Sequence, residues 1–135
     1  MLLIIKNLYK DSALFIAIAI TLSIAILSLS DLSQLPHIIH FSYLDKLEHF
    51  IAYFVLIVSW AFTFQKSEKL INHRFWLVLF VFLYGVFMEL LQQQFTDYRI
   101  GDLYDVLANF SGILFGMLFF EKIIHQDFKD FLAAS

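Results

Sequence analysis

The sequence predicts an all-α integral membrane protein: an antiparallel four-helix bundle with both termini cytoplasmic. Three observations carry that prediction. The chain of 135 residues is 61% hydrophobic and only 16% charged, with a mean hydropathy of +0.78, whereas a soluble domain needs more polar surface to cover its core. The apolar residues gather into four windows separated by short connections. The basic residues fall mostly on one side of the layout that those windows create.

Composition also removes several classes of function. One proline and four glycines leave little room for disorder, and no repeat is long enough for a solenoid. The absence of cysteine excludes disulfides and thiolate metal sites. A net charge of −3 offers no basic stripe for phosphates, so nucleic acid is not an expected partner.

A helix needs about 20 residues to cross about 30 Å of hydrocarbon. The first span, residues 12–30, has no charge and follows Lys6 and Lys10. A signal peptide would also start with lysines and an apolar middle. Here that middle is too long, and no small-x-small cleavage site precedes Asp31, so the span is expected to stay. The remaining windows have uncharged centres of 15 residues (50–64), 14 residues (75–88) and 15 residues (106–120). None crosses alone. Each reaches full length only by absorbing polar neighbours, giving spans of approximately 45–64, 75–94 and 102–121. The short connections then imply an antiparallel bundle forming a single transmembrane domain over 1–135, with a short cytoplasmic tail at 122–135.

With four spans, Lys6, Lys10, Lys66, Lys69, Arg74, Lys122 and Lys129 share one side, leaving only Lys46 and Arg99 of the nine basic residues opposite. Positive-inside bias puts the richer side in the cytoplasm. Ile124, Phe128 and Phe131 repeat at helical spacing, which suggests a short helix lying on the inner interface.

This orientation brings three polar helix ends together on the outer side. Lys46, His49 and Tyr53 lie on one face of the second helix, and Gly85, Glu89 and Gln92 on one face of the third. Asp102, Asp105, Asn109, Gly112 and Gly116 run along the fourth. Ionisable groups facing acyl chains are costly, so these stripes should face the bundle interior. Other roles stand beside a binding role. Asp102, with Asp105 three residues later, and Ser42, with Asp45, fit helix N-caps. Gly112 and Gly116 fit helix packing, while Asn109, Gln92 and Gln93 fit interhelical hydrogen bonding. Tyr53 could anchor its hydroxyl within the bundle, and His37 and His40 beside Pro36 fit a solvated outer loop. Glu89 lies about 8 Å inside its helix end and needs a partner, for which Arg99, Lys46 and His49 are the candidates.

The stretch "DKLEHFIAYFVL" resembles the Asp-Lys-x-x-His-Phe-x-x-Tyr-x-x-Leu pattern of VanZ-like membrane proteins. "ELLQQQF" resembles that family's Glu-x-x-Gln at the end of its third span. "RIGDLYDVLANFSGILFG" resembles its Arg followed, from Asp105, by Asp-x-x-x-Asn-x-x-Gly-x-x-x-Gly. The matched positions are Asp45, Lys46, His49, Tyr53, Glu89, Gln92, Arg99, Asp105, Asn109, Gly112 and Gly116. The resemblance implies a four-span membrane protein of the bacterial cell envelope, and a link to low-level resistance to teicoplanin, a glycopeptide with a lipid tail.

The expected ligand-binding set is Asp45, Lys46, His49, Tyr53, Glu89, Gln92, Arg99, Asp102, Asp105 and Asn109, closing on the head of an amphiphile. The helix N-termini there favour an anion. Counting only the outer side between Asp31 and Asp105, however, seven acids face two bases, which favours a cation, a sugar-like ligand or a metal-bridged phosphate. His49, Glu89 and Asp105 are the catalytic candidates: His49 as a base that Asp45 orients, Glu89 as an acid–base group, and the three together as a set compatible with a metal ion, though their scattered spacing assigns none. No nucleophile, metal site or cofactor is assigned. The expected partners are membrane lipid and an amphiphilic ligand or lipid-linked cell-wall precursor, with oligomeric state open. A hydrolase or transferase on lipid-linked substrates is one alternative. An accessory protein whose polar cluster only packs helices is another.

Overall fold

The computed structural model describes the backbone of residues 2–30, 42–64, 70–95 and 102–133, and side chains over 12–30, 44–64, 73–95 and 102–123. Four helices follow in order: α1 (Leu2–Leu29), α2 (Ser42–Phe64), α3 (Leu70–Phe95) and α4 (Leu103–Ala133). Each contains a stretch long and apolar enough to cross a membrane: Ser12–Leu29, Leu44–Phe64, His73–Phe95 and Leu103–Ile123. Among the described residues there is no strand. The four expected spans are therefore present, each within a few residues of its expected ends.

One expectation changes at the C-terminus. The tail does not start a separate surface helix; α4 runs unbroken to Ala133. No glycine or proline lies between Glu121 and Ala133, so nothing in the backbone interrupts the ladder. The side chains of Ile124, Phe128 and Phe131 lie outside the described residues.

Hydrocarbon gives helices no hydrophobic reason to associate, so small residues and polar contacts must hold them together. The most extensive pairing joins α2 to α4, which are not neighbours in sequence and run parallel. An ideal Cβ on Gly112 would stand 2.3 Å from the Phe50 carbonyl oxygen and 3.1 Å from the Phe54 nitrogen. One on Gly116 would meet the Ile57 Cγ2 at 2.4 Å and the Phe54 oxygen at 2.9 Å. These glycines let two backbones touch. Aromatic rings continue the seam, with Phe50 against Phe115 at 5.8 Å between centroids, Phe54 against Phe119 at 5.5 Å and Phe62 against Phe120 at 5.1 Å. The core is built from Tyr53, Leu56, Ile57, Ala61, Leu77, Val81, Ile113, Met117 and Phe120.

Helix α1 is peripheral. It packs on α2 and α3 but, among the described residues, not on α4. Only 11% of its span is buried, against 39% of that of α4. Hydrogen bonds tether it: Trp60 Nε1 donates to Thr21 Oγ1 at 3.1 Å, and Tyr84 OH donates to the Thr21 carbonyl at 2.8 Å. At the far end of the bundle, Arg74 donates to Glu121 at 2.8 Å and ties α3 to α4.

Candidate functional site

The polar site forms where α2 and α4 begin and α3 ends. Because α2 and α4 run parallel in register, Lys46 sits opposite the first turn of α4 and His49 opposite the second. Lys46 Nζ donates to Asp102 Oδ2 at 2.9 Å and to Asp105 Oδ1 at 2.7 Å. Asp102 also caps α4, since its Oδ1 accepts from the Tyr104 amide at 2.9 Å. The Lys46 ammonium, helped by that amide, holds the Asp102 carboxyl below the usual carboxylate range. Asp102 thus caps α4 and holds Lys46 at the same time. Asp105 does not complete a capping box; its carboxylate turns inward to Lys46 instead, because a buried carboxylate needs a cation more than a helix end needs a second cap.

One turn deeper, His49, Asn109 and Glu89 form a second cluster. His49 Nδ1 lies 3.0 Å from Asn109 Oδ1 and 3.3 Å from Glu89 Oε1. The Asn109 Nδ2 donates to the same Glu89 oxygen at 3.3 Å. Asn109 is 1% exposed and Glu89 6%. Both groups facing Nδ1 are acceptors, so Nδ1 is the donor there, and in the tautomer that carries its proton on Nδ1 the Nε2 lone pair is left to act as base or ligand. Of the candidate partners for Glu89, the structure pairs it with His49, while Lys46 is held by two aspartates.

The remaining predicted residues take separate places around these clusters. Tyr53 is buried, its ring beside Tyr84 and against Gly85, where a Cβ would stand 3.0 Å from Tyr53 Cε1. Gln92 is buried and donates to the Ser28 carbonyl at 3.1 Å, tying α3 to α1. Asp45 lies one turn before His49 on α2, and one oxygen from Asp45, one nitrogen from His49 and one oxygen from Asp105 lie within 4.8 Å of one another. Arg99, His37 and His40 lie outside the described residues.

Sequence reasoning left α1 out of the site. A cleft of about 290 Å³ opens between α1 and α2, lined by Ile24, Leu27, Ser28, Glu48, His49, Ala52 and Tyr53. Its walls are apolar where α1 faces α2, and it reaches the polar cluster at His49. The available signal was small: Ser28 is a polar residue near the end of an otherwise apolar span.

A carboxylate–imidazole pair beside a mostly apolar cleft can orient a polar group, move a proton or hold a cation. No curated protein and no solved structure matches the chain. A family model described as VanZ/LLP1 matches residues 2–125, nearly the whole length including every described residue of the site, and the chain belongs to the VanZ/LLP1 family.

Proposed function

We propose that the polar end of this bundle faces outward from the bacterial cytoplasmic membrane and binds the head of an amphiphilic envelope molecule. The cleft between α1 and α2 carries the proposal. Ile24, Leu27 and Ala52 offer a wall for an acyl or prenyl tail, and His49, Glu48, Ser28 and Tyr53 offer polar atoms for the head. Arg74 and Lys122 lie at the opposite end, and in the order of the sequence most of the other basic residues fall on that same side, which supports the outward orientation through positive-inside bias. By family resemblance, the amphiphile is of the lipoglycopeptide class or one with a similar lipid-anchored polar head.

Filling the cleft tests this directly. Ala52→Trp places an indole against the apolar wall without removing a polar group. Native mass spectrometry of the protein in lipid nanodiscs should show a copurifying amphiphile in the wild type and its loss in the variant, with helicity unchanged. In a susceptible bacterial host, the wild type should raise tolerance to teicoplanin but not to a glycopeptide lacking the lipid tail, and Ala52→Trp should not. Equal ligand retention and equal tolerance in the two proteins would overturn the reading.

One observation supports a second reading, hydrolysis or group transfer on a lipid-linked substrate. Glu89 and Asn109 hold the Nδ1–H of His49, an arrangement that frees Nε2 to take a proton from water. Incubating the purified protein with lipid-linked cell-wall precursors should then yield a new product that Glu89→Gln fails to make. No product from the wild type would leave binding alone.

A further inference from the structure

We propose that Asp45, His49 and Asp105 form a site for a divalent first-row metal ion, Zn²⁺ or Mn²⁺. This goes beyond amphiphile binding and stands without it. Three donor atoms, two from α2 and one from α4, lie within 4.8 Å of one another. Two ligands about 2.1 Å from one ion stand at most about 4.2 Å apart, so closing the set asks for shifts of under about 1 Å. Two helices locked together at Gly112 and Gly116 hold the donors in place, which keeps the ordering cost of binding small.

The surroundings of His49 point the same way. A metal-ligating histidine characteristically donates its other ring N–H to a carboxylate or carbonyl oxygen, which fixes the tautomer and makes the ligating nitrogen a better donor. Here Nδ1 of His49 faces Glu89 Oε1 on a third helix at 3.3 Å and Asn109 Oδ1 on the next turn of α4 at 3.0 Å, so these two would take the ring N–H of an imidazole that ligates through Nε2. Neither belongs to the donor triad. The triad is also unlike the loose acidic groups of protein surfaces, because the Asp105 side chain is only 9% exposed and that of His49 10%.

Lys46 does not close the site. Its ammonium occupies Oδ1 of Asp105, and a carboxylate accepts through both oxygens, so lysine and metal ion can share it. Lys46 then serves to keep Asp105 aimed. One imidazole with two carboxylates suits Zn²⁺ or Mn²⁺ better than Ca²⁺, which takes six to eight oxygens. Three protein donors leave at least one coordination position open for water or for an oxygen of a bound head group.

The test uses chelator-stripped full-length protein in nanodiscs with no added amphiphile. Mn²⁺ binding is followed by electron paramagnetic resonance, and Zn²⁺ by metal analysis after equilibrium dialysis. One ion per chain is expected. Asp45→Asn should weaken binding by about 10-fold or more, a loss at least as large as that from removing a supporting partner, and His49→Gln should abolish it. Glu121→Gln, at the opposite end of the bundle, should bind like the wild type. Circular dichroism and monodisperse elution establish that each variant is folded. Failure of folded wild type to hold either ion stoichiometrically, or unchanged binding by Asp45→Asn and His49→Gln, overturns the site. Amphiphile retention in the presence of chelator is read separately, so either proposal can fail without the other.

Discussion

Gly112→Ala should separate α2 from α4 and destabilise the folded bundle more than the same change at Gly85 or Gly116. The added Cβ would stand 2.3 Å from the Phe50 carbonyl oxygen, and a backbone atom inside a helix cannot rotate away. Overpacking a well-packed interface costs about 1–3 kcal/mol, and a collision with backbone belongs at the upper end. Gly116→Ala comes next, because it meets Ile57 Cγ2 at 2.4 Å, and a β-branched side chain in a helix has few other rotamers. Gly85→Ala should cost least, since its nearest neighbour is the Tyr53 ring edge at 3.0 Å, the far end of a side chain. Reversible unfolding by dodecyl sulfate in mixed micelles, followed by far-UV dichroism, ranks the three. A Gly112→Ala protein as stable as the wild type would mean that the helices do not touch there.

The spans were legible in the sequence because hydrocarbon is an unforgiving solvent: a window such as Ser12–Leu29, with no charge over its length, has few other fates. The polar stripes were legible for a related reason. Lys46, His49, Glu89, Asp105 and Asn109 cannot all face lipid, and three- and four-residue spacing states which of them share a helix face. Choice of partner was not legible. Glu89 had three candidate cations, and only the parallel register of α2 against α4, with α3 packed on both, places His49 beside Glu89 and Lys46 beside the two aspartates. That register depends on where two glycines of α4 meet Phe50 and Phe54 of α2, a contact between segments some 60 residues apart. Short connections predict which neighbours run antiparallel; they do not say that the tightest pair joins the second and fourth helices. The cleft against α1 was hidden for the opposite reason. Its walls are ordinary apolar side chains, and only their position gives them meaning.

Lys46→Met is the second change expected to have a large effect, and it also separates binding from mere helix packing. Losing the ammonium leaves Asp105, 6% exposed, as a buried anion whose two-pronged cation is gone. Breaking a fully buried pair costs about 3–5 kcal/mol. Here the Lys46 side chain is 25% exposed and that of Asp102 38%, so water screens part of the loss and about 2–3 kcal/mol is the expected cost. Adding Asp105→Asn to Lys46→Met removes the stranded charge and should restore most of the lost stability, so the two changes should couple strongly in a double-mutant cycle. Asp102→Asn should be mild, because asparagine caps a helix nearly as well as aspartate and the site is open to water. If the cluster only pins helices together, the restored double variant should regain whatever function the wild type supports. If it binds, the double variant should fold, keep its melting profile and still fail to retain the amphiphile. Lys46→Met as stable as the wild type would mean that the bridge contributes nothing. Full ligand retention by the double variant would assign the cluster to architecture alone.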